Sequence, residues 1–437
     1  MNTKQKQNGA IIAIVTMFFL YAMIAFVTNL GAPIGVIWKN QPEIGGNNML
    51  GMMGNFMNFF AYLFMGIPAG KMLTKVGYKK SALIGIAVGF FGVLVQFLSS
   101  LQVGLTGFFV YLLGAFVSGF SVCILNTVCN PMLNLLGGGG NKGNQLNLIG
   151  GTLNSLTGTL TPMLVGALIG TVTKDTQMAD VNLVLYIAMA VFAAAFVALI
   201  FIPIADPELG KVNADTKFEH SAWSFRHCTL GVIAIFVYVG VEVGIPGALN
   251  FYLSDTTEKG AGIVGDAAAI GGAVAAMYWL LMLVGRLISG FIAGVISSRQ
   301  LMLATTSTAM ALIAAAIFVP KDVTVSMPIF KIMEMSFTSV VVPLSALLLV
   351  ICGLCTSIMW ASIFNLATEG LGKYTAQASG LFMMMVVGGG VLPLIQGWFS
   401  NSMGYMPSYF VYFLAVAYMF YYALIGCKNV NKDIPVE

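Results

Sequence analysis

Two charged residues stand deep inside apolar sequence. Glu242 lies near the middle of Thr229 to Leu253, TLGVIAIFVYVGVEVGIPGALNFYL, a stretch long enough to cross a bilayer as a helix. Arg286 lies on the next apolar segment. A carboxylate at bilayer depth is expensive to leave in hydrocarbon, so it faces a partner, a cavity or a substrate path. Four residues beyond Glu242, Pro246 lies between Gly244 and Gly247, which predicts a bent or broken helix beside the charge. Transporters build binding sites on helices broken in this way. A structural Glu242–Arg286 pair and a functional charge are both open, and they are compatible.

Amide side chains form the second constellation. Asn55, Asn58 and Tyr62 share one helical face at i, i+3 and i+7. Asn126, Asn130 and Asn134 follow at i, i+4 and i+8, and Asn147, Asn154, Thr157 and Thr161 run along a third stripe. Amides in hydrocarbon must find partners. They either join helices, at about 0.6 kcal/mol each, or line a wet cavity and bond a neutral polyol. Three converging stripes favour the cavity. Tyr238, Asn250, Trp279, Trp360 and Asn365 are the candidates to line its other side, since sugar sites place aromatic faces beside amides.

These residues ride on membrane helices. Hydrophobic residues make up 58% of the chain and charged residues 8%, against about a quarter charged in a soluble domain. The mean hydropathy is +0.91. Strand signals of alternating polarity are absent, which argues against an outer-membrane barrel, and the N-terminus lacks a signal-peptide pattern. Hydropathy predicts an all-α polytopic protein with twelve transmembrane helices near 10–38, 49–73, 81–98, 103–136, 146–170, 181–204, 229–253, 264–295, 300–319, 339–366, 376–403 and 408–426.

The longest polar interval separates an N-terminal six-helix bundle (1–204) from a C-terminal one (229–437), with 205–228 as the connecting loop. Lys39, Lys174, Lys259, Lys321 and Lys331 fall on one side of the membrane and the rest of the 20 Lys and Arg on the other. The positive-inside rule then puts both termini and the connector in the cytoplasm, in a multi-pass inner-membrane protein. The halves echo one another: Asn134-Leu135 and Asn365-Leu366 each precede a glycine-containing turn and a lysine, Lys142 and Lys373, at the same spacing.

Other chemistry is poorly supported. Cys352 and Cys355 form a CxxC in an apolar helix without further ligands, so no metal or redox site is expected. No nucleophile–base pair or phosphate loop supports an enzyme. The net charge of +4 follows the membrane and implies no nucleic acid. Gly388-Gly389-Gly390 permits close helix approach or bending.

At this point a resemblance enters. PAGKMLTKVGYKK, from Pro68 to Lys80, resembles the loop after helix two of major facilitator transporters, although Thr74 stands where an Asp is usual. AYLFMGIPAG, FVYVGVEVGIPGALNFYL, MLVGRLISG and ASIFNLATEGLGKYTAQASGLFMMMVVGGGVLPLIQG resemble the fucose permease family of fucose–galactose–glucose:proton symporters, as do Asn130-Pro131 and the LNL at 146–148. The likeness implies the major facilitator fold, a central cavity, alternating access and uptake of a monosaccharide by cation symport. It implies a bilayer-embedded carrier, expected as a monomer, whose partner is the sugar and which needs no cofactor beyond a coupling ion. A carrier of another small solute (a sialic acid, an amino acid, a drug) and a sugar uniporter are the alternatives.

Two departures bear on coupling. The permease has an Asp in helix one, four residues before a Pro, and a Glu in helix four, four residues before Asn-Pro. Asn29 and Asn126 stand at those positions, and an amide carries no proton. Glu242 stands where the glucose and galactose branch has its helix-seven Glu, and it inherits the coupling role, with Arg286 as its neighbour. Protonation suits H+, whereas an ionised carboxylate among amide and backbone oxygens suits Na+.

Overall fold

A computed structural model of the chain describes residues 3–136, 140–173, 175–202, 220–263, 265–292, 296–431 and 433–436. Among them, eleven helices are long and apolar enough to cross a membrane. A twelfth crossing is the first arm of Met53–Ser99, two helices joined by a kink at Gly77. There φ is 83° and ψ 171°, a conformation that a side chain resists and glycine adopts freely. The interval that hydropathy reads as a loop between spans two and three is therefore helical on either side of one glycine.

Span one is Thr3–Asn29 continued by Gly31–Asn40. Spans four, five and six are Gly104–Leu136, Gly140–Ile169 and Asn182–Phe201. Spans seven, eight and nine are Arg226–Ser254, Ala267–Ile292 and Ser298–Phe318. Span ten is Leu344–Thr356 with Met359–Thr368, and span eleven is Thr375–Met385 with Gly388–Met403. Tyr405–Ser408 leads into span twelve, Phe410–Tyr421. Within the polar interval, residues 203–219 lie outside the described residues, and span seven begins three residues before its hydropathy limit, at Arg226.

Two expectations change. Span seven is one helix through Pro246, not a broken pair. The proline still removes one helix bond, because it offers no N–H to the carbonyl four residues back, and that carbonyl belongs to Glu242. The chain also contains strands, which alternation along the sequence did not reveal. Thr324–Lys331 pairs antiparallel with Ser336–Pro343, from Thr324↔Pro343 to Lys331↔Ser336. Met327 and Ile329 are buried on one face, while Phe337 and Val341 stand out on the other. Span ten consequently starts at Leu344 instead of 339.

Glycines set how closely spans before and after the polar interval approach. A Cβ on Gly390 would stand 2.8 Å from the Cα of Phe56, and one on Gly388 would stand 1.8 Å from the carbonyl oxygen of Phe236. The glycine run in span eleven thus lies against span two on one side and span seven on the other. It also follows the break at Val386 and Val387, so both close approach and bending occur there.

Candidate substrate cavity, ion pair and far-face cluster

A small cavity of about 20 Å³ lies between the first six spans and the last six. Thr28, Asn29, Ala32, Pro33, Asn55 and Pro162 line it from one side. Val243, Pro246, Gly247, Asn250, Ala275 and Trp279 line it from the other. No ionisable side chain is among them; the polar groups are amides, one hydroxyl and an indole. Each is placed by helix geometry: Asn29 ends the first piece of span one, four residues before Pro33, and Asn250 follows Pro246 by one turn.

Of the candidates read from the sequence, Asn55, Asn250 and Trp279 meet in this lining. Asn55 Nδ2 donates to the carbonyl of Gly389 at 2.8 Å, crossing between the halves. Asn250 Oδ1 accepts from Ser254 Oγ at 3.1 Å. Other candidates are bonded to neighbouring helices. Asn126 Nδ2 donates to Tyr62 Oη at 2.7 Å, joining spans four and two. Asn58 Nδ2 donates to the carbonyl of Ala115 at 3.3 Å, and Asn154 Nδ2 to that of Tyr21 at 3.5 Å. Tyr238 Oη donates to the carbonyl of Thr356 at 3.2 Å, and its ring centroid lies 6.1 Å from that of Trp360. Asn365 is exposed and lies outside the cavity lining. The side chain of Asn130 lies outside the described residues, as do those of Asn134, Lys142, Asn147 and Lys373.

Glu242 and Arg286 do meet. Arg286 Nη2 lies 3.4 Å from Glu242 Oε1, with both side chains largely buried. The guanidinium has closer partners in span five: Nη1 donates to the carbonyl of Gly151 and to Ser155 Oγ, each at 2.9 Å. Arg286 thus belongs to the later half by chain and donates two hydrogen bonds to the earlier half. Ser155 itself is fully buried. Sequence reading paired Arg286 with Glu242 alone; Ser155 sits beside the Asn154 stripe and gave no signal of its own.

A second polar cluster joins the halves at the face opposite the chain ends. Lys39 Nζ donates to Asp255 Oδ2 at 2.7 Å and also to Tyr405 Oη. Tyr405 Oη lies 2.7 Å from Asp255 Oδ2 and 3.0 Å from Asn48 Oδ1. Asp255 Oδ1 accepts from the backbone N–H and hydroxyl of Thr257. Burial works to raise the Asp255 carboxyl, but the Lys39 charge and the bonds from Lys39, Thr257 and Tyr405 outweigh it and hold the group down at about 2. Beside this cluster, Asn48 Nδ2 donates to Ser400 Oγ at 2.9 Å, and Asn401 Nδ2 donates to Asn47 Oδ1 at 2.9 Å. In the sequence Lys39 reads only as one of the few lysines on that side.

The profile of the Major Facilitator Superfamily matches residues 9–393. The chain belongs to that superfamily. Within it, the chain is 29% identical over 435 residues to the glucose/galactose transporter of Brucella abortus, covering 98% of this chain and 96% of that one. It is 22% identical over 380 residues to the L-fucose-proton symporter of Escherichia coli, covering 80% and 78% of the two chains. Among solved structures, the superfamily transporter FucP in its outward conformation superposes with a TM-score of 0.65 at 19% identity, over 96% of this chain and all of that one. The nucleoside transporter NupG gives 0.62 at 14% identity. These likenesses establish the superfamily fold, with its twelve crossings, for this chain.

Proposed function

We propose that this protein is a secondary active transporter that imports a monosaccharide, of the fucose, glucose or galactose kind, by cation-coupled symport with alternating access. The observation that carries the reading is the uncharged, amide- and indole-lined cavity between the halves. A sugar is a neutral polyol: its hydroxyls bond amides, and its flat face of C–H groups stacks on an indole. Asn29, Asn55, Asn250 and Thr28 supply the hydrogen bonds, and Trp279 supplies the face. Tyr62, Asn126 and Asn154 brace the helices that carry them. The names of the relatives agree with this substrate class.

Coupling rests on Glu242. It is a carboxylate one turn before Pro246, on the helix that lines the cavity, and Arg286 ties it to span five. We assign it a proton, loaded from outside and released inside, with Arg286 taking the charge when the proton leaves. The protein sits in the inner membrane as a monomer, with both termini cytoplasmic, an orientation that the lysine asymmetry supports. Residues 1–204 and 229–437 form two six-helix bundles related by an axis along the membrane normal, joined by a cytoplasmic connector at 205–228. Its role is carriage, with no chemical conversion of the sugar.

The test is uptake of labelled monosaccharides in a transport-deficient strain, with and without a protonophore. Accumulation of one of these sugars, collapsed by the protonophore, is expected. Accumulation that persists with the protonophore and follows a sodium gradient reassigns the ion; absence of uptake for all of these sugars overturns the substrate class.

A further inference from the structure

The sugar reading above leaves the Lys39 cluster unused. Lys39 is 4% exposed, a buried cation at the end of span one. Its partners Asp255 and Tyr405 come from the other half, after span seven and before span twelve. The amides beside it repeat the pattern, with Asn47 and Asn48 from the start of span two facing Ser400 and Asn401 from span eleven. All of these contacts cross between halves, and all lie at one face.

Position gives the cluster its meaning. Asn29 lines the cavity, and Lys39 lies ten residues further along span one, about 15 Å at 1.5 Å per residue. Asp255 likewise lies beyond Asn250 on span seven. The cluster therefore sits over the cavity on the side facing away from the chain ends. Apolar packing reinforces it: a Cβ on Gly35 would stand 2.4 Å from the carbonyl oxygen of Gly51 and 3.0 Å from the ring of Phe251. Phe251 of span seven thus packs directly on Gly35 of span one beside the cluster.

We propose that Lys39, Asp255 and Tyr405 are the outer gate of the transport cycle. They hold the far-face ends of the halves together in the state described here, and they separate to admit the sugar. The physical ground is that a buried ion pair is held mainly by what its loss leaves behind. Removing one partner strands a desolvated charge, whereas parting the halves rehydrates both charges together. A lock of this kind is weakened by the loss of either member, yet with both members present it can be opened by domain motion. The identification of this face as external rests on the orientation proposed above.

The test is accessibility, which needs no substrate. Thr28→Cys puts a thiol in the cavity, and a membrane-impermeant maleimide is added to intact cells. The native cysteines are all buried, and the chain without Thr28→Cys gives the background. With the gate intact, labelling is slow. Lys39→Ala and Asp255→Asn should each accelerate it at least about tenfold, and the exchange Lys39→Asp with Asp255→Lys should bring it back towards the parent rate. Unchanged labelling in both single variants overturns the gate. Should those variants fail to fold, Asn48→Cys with Ser400→Cys in the Thr28→Cys chain replaces the rung by an oxidisable pair. Oxidation should reduce labelling of Thr28→Cys to background, and a reductant should restore it; labelling that continues in the oxidised protein overturns the proposal. Absent sugar uptake would sink the transport reading without touching this result, so the two fail separately.

Discussion

Arg286 lies closer to Ser155, across the interface between halves, than to Glu242 on its own neighbouring helix: 2.9 Å against 3.4 Å. The guanidinium thus has two sets of acceptors, a carboxylate in span seven and a hydroxyl and carbonyl in span five. Its planar fork can serve both at once. Any change in the charge of Glu242 alters how strongly the guanidinium is drawn to each.

The pair should therefore behave as a coupled unit. Arg286→Ala strands a largely buried carboxylate and should destabilise the protein by about 3 kcal/mol. Glu242→Arg and Arg286→Glu should each abolish uptake, and the double exchange should recover part of it, with a coupling energy of about 1–3 kcal/mol. Thermal denaturation in detergent and labelled-sugar uptake measure the two terms. Additive single effects would mean that the residues act independently.

Separation of cavity residues from bracing residues is the second expectation. Asn250→Ala and Trp279→Ala should raise the apparent KM for sugar about tenfold, the equivalent of one lost hydrogen bond or stacking contact of about 1.4 kcal/mol. Asn126→Ala breaks the bond to Tyr62 instead, and should lower stability by about 0.6 kcal/mol while leaving KM unchanged. Concentration dependence of uptake distinguishes them. A raised KM in Asn126→Ala would put that amide in the substrate path.

The difference between these classes was partly legible in the sequence. Hydropathy marked the crossings, since twenty apolar residues admit few other fates. Two rare charges on consecutive spans left a Glu242–Arg286 pair open, because their relative depth is fixed only by how the two helices pack. Periodicity put Asn55, Asn58 and Tyr62 on one face, but a helical face is wide. Asn55 turns towards Gly389 in span eleven, while Asn58 turns towards Ala115 in span four. Which neighbour occupies each flank is a fact of tertiary packing. The Lys39 cluster was invisible for the same reason: 216 positions separate Lys39 from Asp255 along the chain. The hairpin was missed because its two strands alternate only weakly, with Pro328 and Ser339 among apolar residues on the outward face.

The gate should be indifferent to the pH range in which a proton carrier works. A carboxyl held at about 2 in the folded protein, against about 3.9 free, stabilises the closed cluster fully above the free value. That contribution is lost only as pH falls through the folded value. The maleimide labelling rate of Thr28→Cys, corrected for reagent chemistry with a free thiol, should be flat between about pH 5 and 8. An increase on acidification across that window would mean that the cluster itself senses protons.

The proton is expected to act at Glu242 instead. Glu242→Gln keeps the side-chain shape and the reach to Arg286 but removes the charge and the site of protonation. A symporter needs the loaded and empty carrier to reorient differently; a permanently neutral residue mimics the loaded state alone. Exchange of labelled for unlabelled sugar runs entirely through that loaded state, so it should continue in the variant at a rate within about threefold of the parent. Accumulation against a gradient requires return of the empty carrier with Glu242 ionised, and should fall by about a hundredfold or more, the scale of losing a charge-dependent step worth about 2.7 kcal/mol. Counterflow and uptake assays on the same vesicles measure both. Concentrative uptake that survives in Glu242→Gln would move the coupling site elsewhere in the chain, and loss of exchange together with accumulation would mark Glu242 as structural.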